Sequence, residues 1–81
     1  MPVTTLADLP NGSRCRVAAI TGDPLLRERI VELGFTRGAL VLVKGRAPLG
    51  DPIEVKLRGG QLAVRREEAA CVEVVADRED P

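Results

Sequence analysis

Residues 53–58 alternate apolar and charged side chains without a slip: Ile53, Val55 and Leu57 fall on one face of an extended chain, Glu54, Lys56 and Arg58 on the other. A period of two is the period of a strand. Gly59-Gly60 follows, a pair that takes positive φ without steric cost, and so predicts a two-residue hairpin turn. Residues 61–65 then resume the alternation, with Leu62 and Val64 inward. A lone hairpin is marginal in water. The rest of the chain must therefore cover this apolar face.

It has the pieces to do so. Leu6, Leu9 and Pro10 precede the turn signal Asn11-Gly12. Arg14 to Ile20 places Cys15, Val17 and Ala19 on one face and Arg14 and Arg16 on the other, a first strand that Thr21-Gly22 breaks. Asp23 can cap a helix that Pro24 opens, because proline's missing N–H costs nothing there. Leu26, Ile30 and Leu33 recur at i, i+4 and i+7, Arg27 and Glu28 lie off that stripe, and Gly34 stands where a left-handed cap is usual. The spacing predicts a helix over 24–33. After a short turn at 35–38, the unbroken apolar run 39–43 predicts a second strand covered on both faces. Residues 44–51 read as a loop. A single helical turn over 66–70 and a last strand over 71–75, with Val72 and Val74 on one face, complete the chain.

The sum is a mainly β fold: five short strands with one helix inserted after the first. Strands this short hide their edges by curling into a small barrel. The expected architecture is an SH3-like, partly open barrel whose helix covers one mouth. An OB-fold is the alternative, but its helix usually lies between the third and fourth strands. Residues 1–76 are expected to form one domain, and 77–81 a frayed acidic tail.

Composition removes whole classes of function. With no histidine, a His-based metal site or catalytic triad is excluded. Phe35 is the single aromatic and the formal net charge is zero, so neither base stacking nor a basic excess for nucleic acid is available. A proline-rich ligand would need an aromatic-lined groove. The longest apolar run, 39–43, is far below the ~20 residues of a membrane span. The first ten residues lack a basic region followed by an apolar run, as a signal peptide would have. A cytoplasmic chain with reduced thiols is expected, Cys15 and Cys71 being isolated and packing as small apolar residues. Charge is uneven along the chain, however. Residues 37–66 carry seven basic and two acidic side chains, and 67–81 one basic and six acidic. These are either ordinary solvated faces or a basic face that docks on an acidic protein partner or an anionic membrane surface.

Three stretches carry a resemblance: Leu33-Gly34-Phe35-Thr36-Arg37-Gly38; Ala47-Pro48-Leu49-Gly50-Asp51-Pro52-Ile53; and Leu62-Ala63-Val64-Arg65 ahead of Ala69 and Val72. Together they resemble the FeoA family, small cytoplasmic proteins of bacterial ferrous-iron uptake. The likeness spans residues 6–74 and is most specific in the second stretch. Arg37 departs from the pattern, since the family often has proline before this glycine. The resemblance implies a fold similar to SH3 domains and to the C-terminal domain of iron-dependent repressors. It implies action on the cytoplasmic, GTPase-bearing part of the FeoB permease, and no enzymatic activity. A transition-metal label attached to the family implies at most weak or transient Fe2+ binding, for which this chain offers only carboxylates and two isolated thiols. Gly34, Gly38, Gly50, Asp51 and Pro52 read as structural: Gly34 caps the helix, Gly38 turns the chain into the second strand, and Gly50-Asp51-Pro52 forms a rigid turn in which Asp51 can bond the backbone beyond it. A phosphate cradle at Gly59-Gly60 lacks the helix N-terminus and lysine it would need.

The expected partner surface combines the helix and its exit: Leu25, Arg27, Arg29, Phe35 and Arg37, large apolar and arginine side chains being the usual anchors. Against this, Leu25 and Phe35 can instead complete the core. Two other functions compete. A metal-responsive regulatory domain would need Glu28, Glu32 and Asp51 to meet an ion. A self-assembling scaffold would pair exposed strand edges into a homo-oligomer.

Overall fold

The computed structural model describes residues 4–77. Five strands form one antiparallel sheet: β1 (Arg14–Ile20), β2 (Leu40–Arg46), β3 (Ile53–Leu57), β4 (Gly60–Val64) and β5 (Val72–Ala76), in the order β4-β3-β2-β1-β5. Helix α1 (Pro24–Glu32) follows β1, and a single turn of helix, α2 (Arg66–Ala69), separates β4 from β5. The end strands β4 and β5 do not pair with each other, so the barrel is partly open. A 3-10 turn (Leu6–Asp8) precedes β1, and Thr5 bridges to Glu73 on the outer edge of β5. The mainly β architecture and the helix after the first strand match the sequence expectation, and the helix stands where an OB-fold would not place it.

The inward faces build one core. Cys15, Val17, Val41, Val43, Ile53, Val55, Leu57, Val64, Val72 and Val74 supply the sheet's share, and Leu6, Ile30, Phe35 and Ala69 close it. Phe35 is the largest of the fully buried side chains. It gets there through the helix terminus. Gly34 N–H donates to Val31 O at 2.9 Å and Phe35 N–H to Ile30 O at 3.4 Å, the paired bonds of a Schellman turn. Gly34 has φ +113°, and a Cβ there would lie 3.2 Å from Leu57 Cδ2. Only glycine satisfies both conditions. The reversal it permits aims Phe35 inward.

Several expectations change. The hairpin turn is Arg58-Gly59, not Gly59-Gly60: Leu57 pairs with Gly60, and the positive φ values fall at Arg58 (53°) and Gly59 (81°). An arginine is held in this left-handed conformation because its guanidinium donates to Gly34 O at 3.3 Å and to the Thr36 hydroxyl. Strand β2 runs on to Arg46, past a bulge between Val43 and Gly45, and only one of its faces is covered. Leu40 and Leu42 point outward, Leu40 with 37% of its surface exposed. The alternation of β1 holds through Val17 and then slips at a bulge between Val17 and Ala19. Asp51 bonds not the next residues but the start of α2, accepting from Arg66 N–H at 3.0 Å. The peptide bond it makes to Pro52 is cis. Asp77, expected in the frayed tail, is held by Arg14 and Arg16; the remainder of that tail, 78–81, lies outside the described residues.

One anchor went unforeseen. Arg46 donates to Asn11 Oδ1 at 2.6 Å and to the backbone oxygens of Ala7 and Leu9, stapling the segment before β1 onto β2.

Substituting Gly34→Ala should destabilise the fold by about 1–2 kcal/mol, from left-handed strain plus the contact with Leu57. Phe35→Ala should cost about 3–5 kcal/mol. Urea unfolding with an unchanged m-value checks both.

Candidate functional site

The antiparallel register sets the outer face of β1–β3 in transverse rows. Arg14 lies opposite Leu42, and Leu42 opposite Lys56. One row along, Arg16 lies opposite Leu40 and, on its other side, opposite Val75 of β5. The result is a lane of leucine between two columns of cations. Gly38 and Ala39 lead into this lane, and Arg37 and Arg58 stand at its rim. Arg14, Arg16, Arg37, Lys56 and Arg58 thus surround Leu40 and Leu42 in an open groove of about 660 Å³.

Four of these five cations are positioned by bonds within the chain. Arg16 donates to Gly38 O at 3.0 Å and to Asp77 Oδ1 at 3.2 Å, while Arg14 reaches Asp77 Oδ2 at 3.1 Å. Arg37 uses Nε on Ala18 O at 3.1 Å, leaving its two terminal nitrogens for other acceptors. Arg58 is fixed on Gly34 and Thr36 as above. Lys56 has no partner among the described residues. No carboxylate lines the groove among the described residues. Cations crowded in this way repel one another and create a positive potential that an anionic group relieves.

The five residues expected to form one partner surface divide four ways. Phe35 is 1% exposed and belongs to the core, so it cannot be a displayed anchor: the Schellman turn that ends α1 points it inward. Leu25 is 80% exposed, and Arg27 is exposed without a partner among the described residues; both stay on the outside of α1. Arg29 is committed to Glu68 at 3.1 Å. Arg37 alone of the five joins the groove. The groove's other members were missed as a group. Arg14, Arg16, Lys56 and Arg58 read from sequence as outward positions, whereas Leu40 and Leu42 fall in the run read as covered on both faces, and only the register shows that all six share one face.

Glu68 ties the two helices together. It is 7% exposed, with Oε1 accepting from Arg65 N–H at 2.8 Å and Oε2 facing Arg29 Nε at 3.1 Å, so both carboxylate oxygens are satisfied. The carboxylates proposed for metal sensing do not assemble: among the described residues no three histidine, cysteine or acidic side chains form a group that could hold a metal, and Asp51 is spent on α2. The cysteines are free. Burial, and secondarily the nearby Asp77 carboxylate, pushes the Cys15 thiol from its ordinary 9.0 up to about 11.

Comparison with known proteins places this geometry. The FeoA domain family matches residues 4–76. The chain is 35% identical over 69 residues to the Fe(2+) transport protein A/Fe(2+) transporter FeoB fusion protein of Porphyromonas gingivalis, an alignment covering 85% of this chain and 8% of that much longer one. The solution structure of an FeoA-like protein from Clostridium acetobutylicum superposes with a TM-score of 0.89 at 31% identity, covering 100% of this chain and 94% of that one. The zinc-complexed FeoA of Stenotrophomonas maltophilia, described as a procaryotic SH3 domain protein, gives a TM-score of 0.72 at 29% identity, covering 91% of this chain and 89% of that one. The partly open barrel is accordingly SH3-like.

Two outcomes follow from the site's surroundings. Glu68→Ala should destabilise the chain by about 1–3 kcal/mol, because it leaves the Arg65 N–H without an acceptor, whereas Arg29→Ala should cost about 1 kcal/mol or less, since that side chain is mostly in water; chemical denaturation separates the two. The neutral Cys15 thiol favours the folded state below pH 9.0, and that advantage is lost as pH rises through about 11. Denaturation midpoints measured across this window should fall more steeply for the unsubstituted chain than for Cys15→Ala.

Proposed function

The chain belongs to the FeoA family, and from that premise we propose that it is an accessory component of bacterial ferrous-iron uptake that works by contact with the cytoplasmic part of an FeoB-type permease. The observation that carries this reading is the Porphyromonas gingivalis relative, whose name describes transport protein A and transporter FeoB as one fused chain. Fusion holds two modules at high effective concentration. Where the two modules are not fused, surface contact must supply the same proximity, and the groove described above is suited to that purpose.

The contact residues on this reading are Leu25 and Arg27 on α1 together with Arg37 and its neighbours in the groove. Arg29 contributes only at the cost of its bond to Glu68. The iron ion is the permease's cargo, and this chain's role is to dock. No helix among the described residues is long and apolar enough to cross a membrane. The proposed location is the cytoplasmic side of the membrane, beside the permease.

A pull-down with the permease's purified cytoplasmic domain tests this reading. The unsubstituted chain should be retained, and Arg27→Glu combined with Arg37→Glu should weaken retention about tenfold or more, with rising salt acting in the same direction. No retention of the unsubstituted chain would overturn the function; undiminished retention of the double variant would overturn the assigned surface.

A further inference from the structure

We propose that the groove across β1–β3 receives an acidic polypeptide segment carrying aliphatic anchor side chains. This deepens the docking reading and rests on it only in taking the chain to act by contact; it does not require the permease to be the source of the segment.

Three observations converge on that chemistry. The first is the layout of the floor. Neighbouring strands are about 4.8 Å apart, so the cation columns on β1 and β3 flank the leucine lane of β2 at a separation of about 10 Å, the width of a single polypeptide segment. Leu40 and Leu42 would take aliphatic side chains from above, while Lys56 and the two terminal nitrogens of Arg37 would meet carboxylates at its sides. The second is that the chain already shows the pairing. Asp77 presents one oxygen each to Arg14 and Arg16, at 3.1 and 3.2 Å, from the β5 side of β1 and outside the groove's lining. Two of the groove's cations are thus seen to take a carboxylate, and a partner's carboxylates would pair with the cations that face the leucine lane, Lys56 and Arg37. The third is selectivity. A nucleic acid would use the cations and not the leucines, and its bases would find no aromatic to stack on, since Phe35 is in the core. The mixture of aliphatic floor and cationic walls matches an acidic peptide in both chemistries.

The test uses the full-length chain, isotope-labelled, and three synthetic peptides: one of glutamates and leucines, one with each glutamate replaced by lysine, and one with each leucine replaced by serine. The glutamate–leucine peptide should bind and shift the amide resonances of Leu40, Leu42, Lys56 and Gly59. The lysine peptide should not bind, and the serine peptide should bind about tenfold more weakly, through loss of apolar burial. Lys56→Glu and Leu40→Ser, both at exposed positions, should each reduce affinity about tenfold, while Arg66→Glu, exposed on α2 and away from the groove, should leave it unchanged. Equal binding by the Lys56→Glu and Leu40→Ser variants, or shifts confined to α1, would overturn the proposal. So would binding to phosphatidylglycerol vesicles without binding to the acidic peptide, which would assign the face to a membrane. The permease's cytoplasmic domain, run in parallel, separates the two readings. If it binds and the peptide does not, the groove's assigned occupant is wrong and the docking function survives. If the peptide binds with the expected variant pattern and the permease domain does not, the permease is the wrong partner and the groove stands.

Discussion

The structure depends on how three registered strands partition their side chains. Through β3 and up to the bulges in β1 and β2, every second residue turns into a core built from aliphatic side chains, Cys15 and one phenylalanine. Antiparallel pairing aligns the remaining positions into rows of arginine, leucine and lysine. One constraint produces both results, because a slip of one residue would exchange the faces. The core and the outer groove are two sides of the same register, and neither can shift without the other.

Closing the barrel takes four further devices. The Schellman turn at Gly34 drops Phe35 into the core, and the Arg58 guanidinium then binds that same turn through Gly34 O and Thr36. The β3–β4 hairpin is thereby locked to the exit of α1. Glu68 joins α1 to α2, and Asp51 joins the β2–β3 loop to the start of α2. Arg46 fastens the segment before β1. Each device joins parts of the chain distant in sequence, as a small domain with few core residues requires.

That distance decides what could be read beforehand. The strand Arg14–Ile20 and the helix opened by Asp23 and Pro24 were legible because their signals are local: a period of two, a capping carboxylate, a glycine at the helix end. The hairpin turn was misplaced by one residue because Arg58 is held in a left-handed conformation by oxygens some twenty positions earlier, which no local propensity records. Asp51 was assigned a local bond for the same reason. The unbroken run 39–43 suggested a strand buried on both sides. Its outward leucines instead floor a groove whose cationic walls come from two other strands, and a one-dimensional reading cannot see walls supplied by neighbours. Phe35 could be counted as core or as surface until the turn showed its direction.

Leu40 is exposed and Leu42 half-buried on the floor of the groove, and the proposed docking gives both a partner to meet. Methyl-resolved NMR of the full-length chain with the permease's cytoplasmic domain tests it most directly, because Leu49, 95% exposed on the β2–β3 loop, serves as an internal control. The methyl resonances of Leu40 and Leu42 should shift or broaden on complex formation while those of Leu49 stay put. A complex that forms while leaving Leu40 and Leu42 unperturbed would contradict the proposed docking.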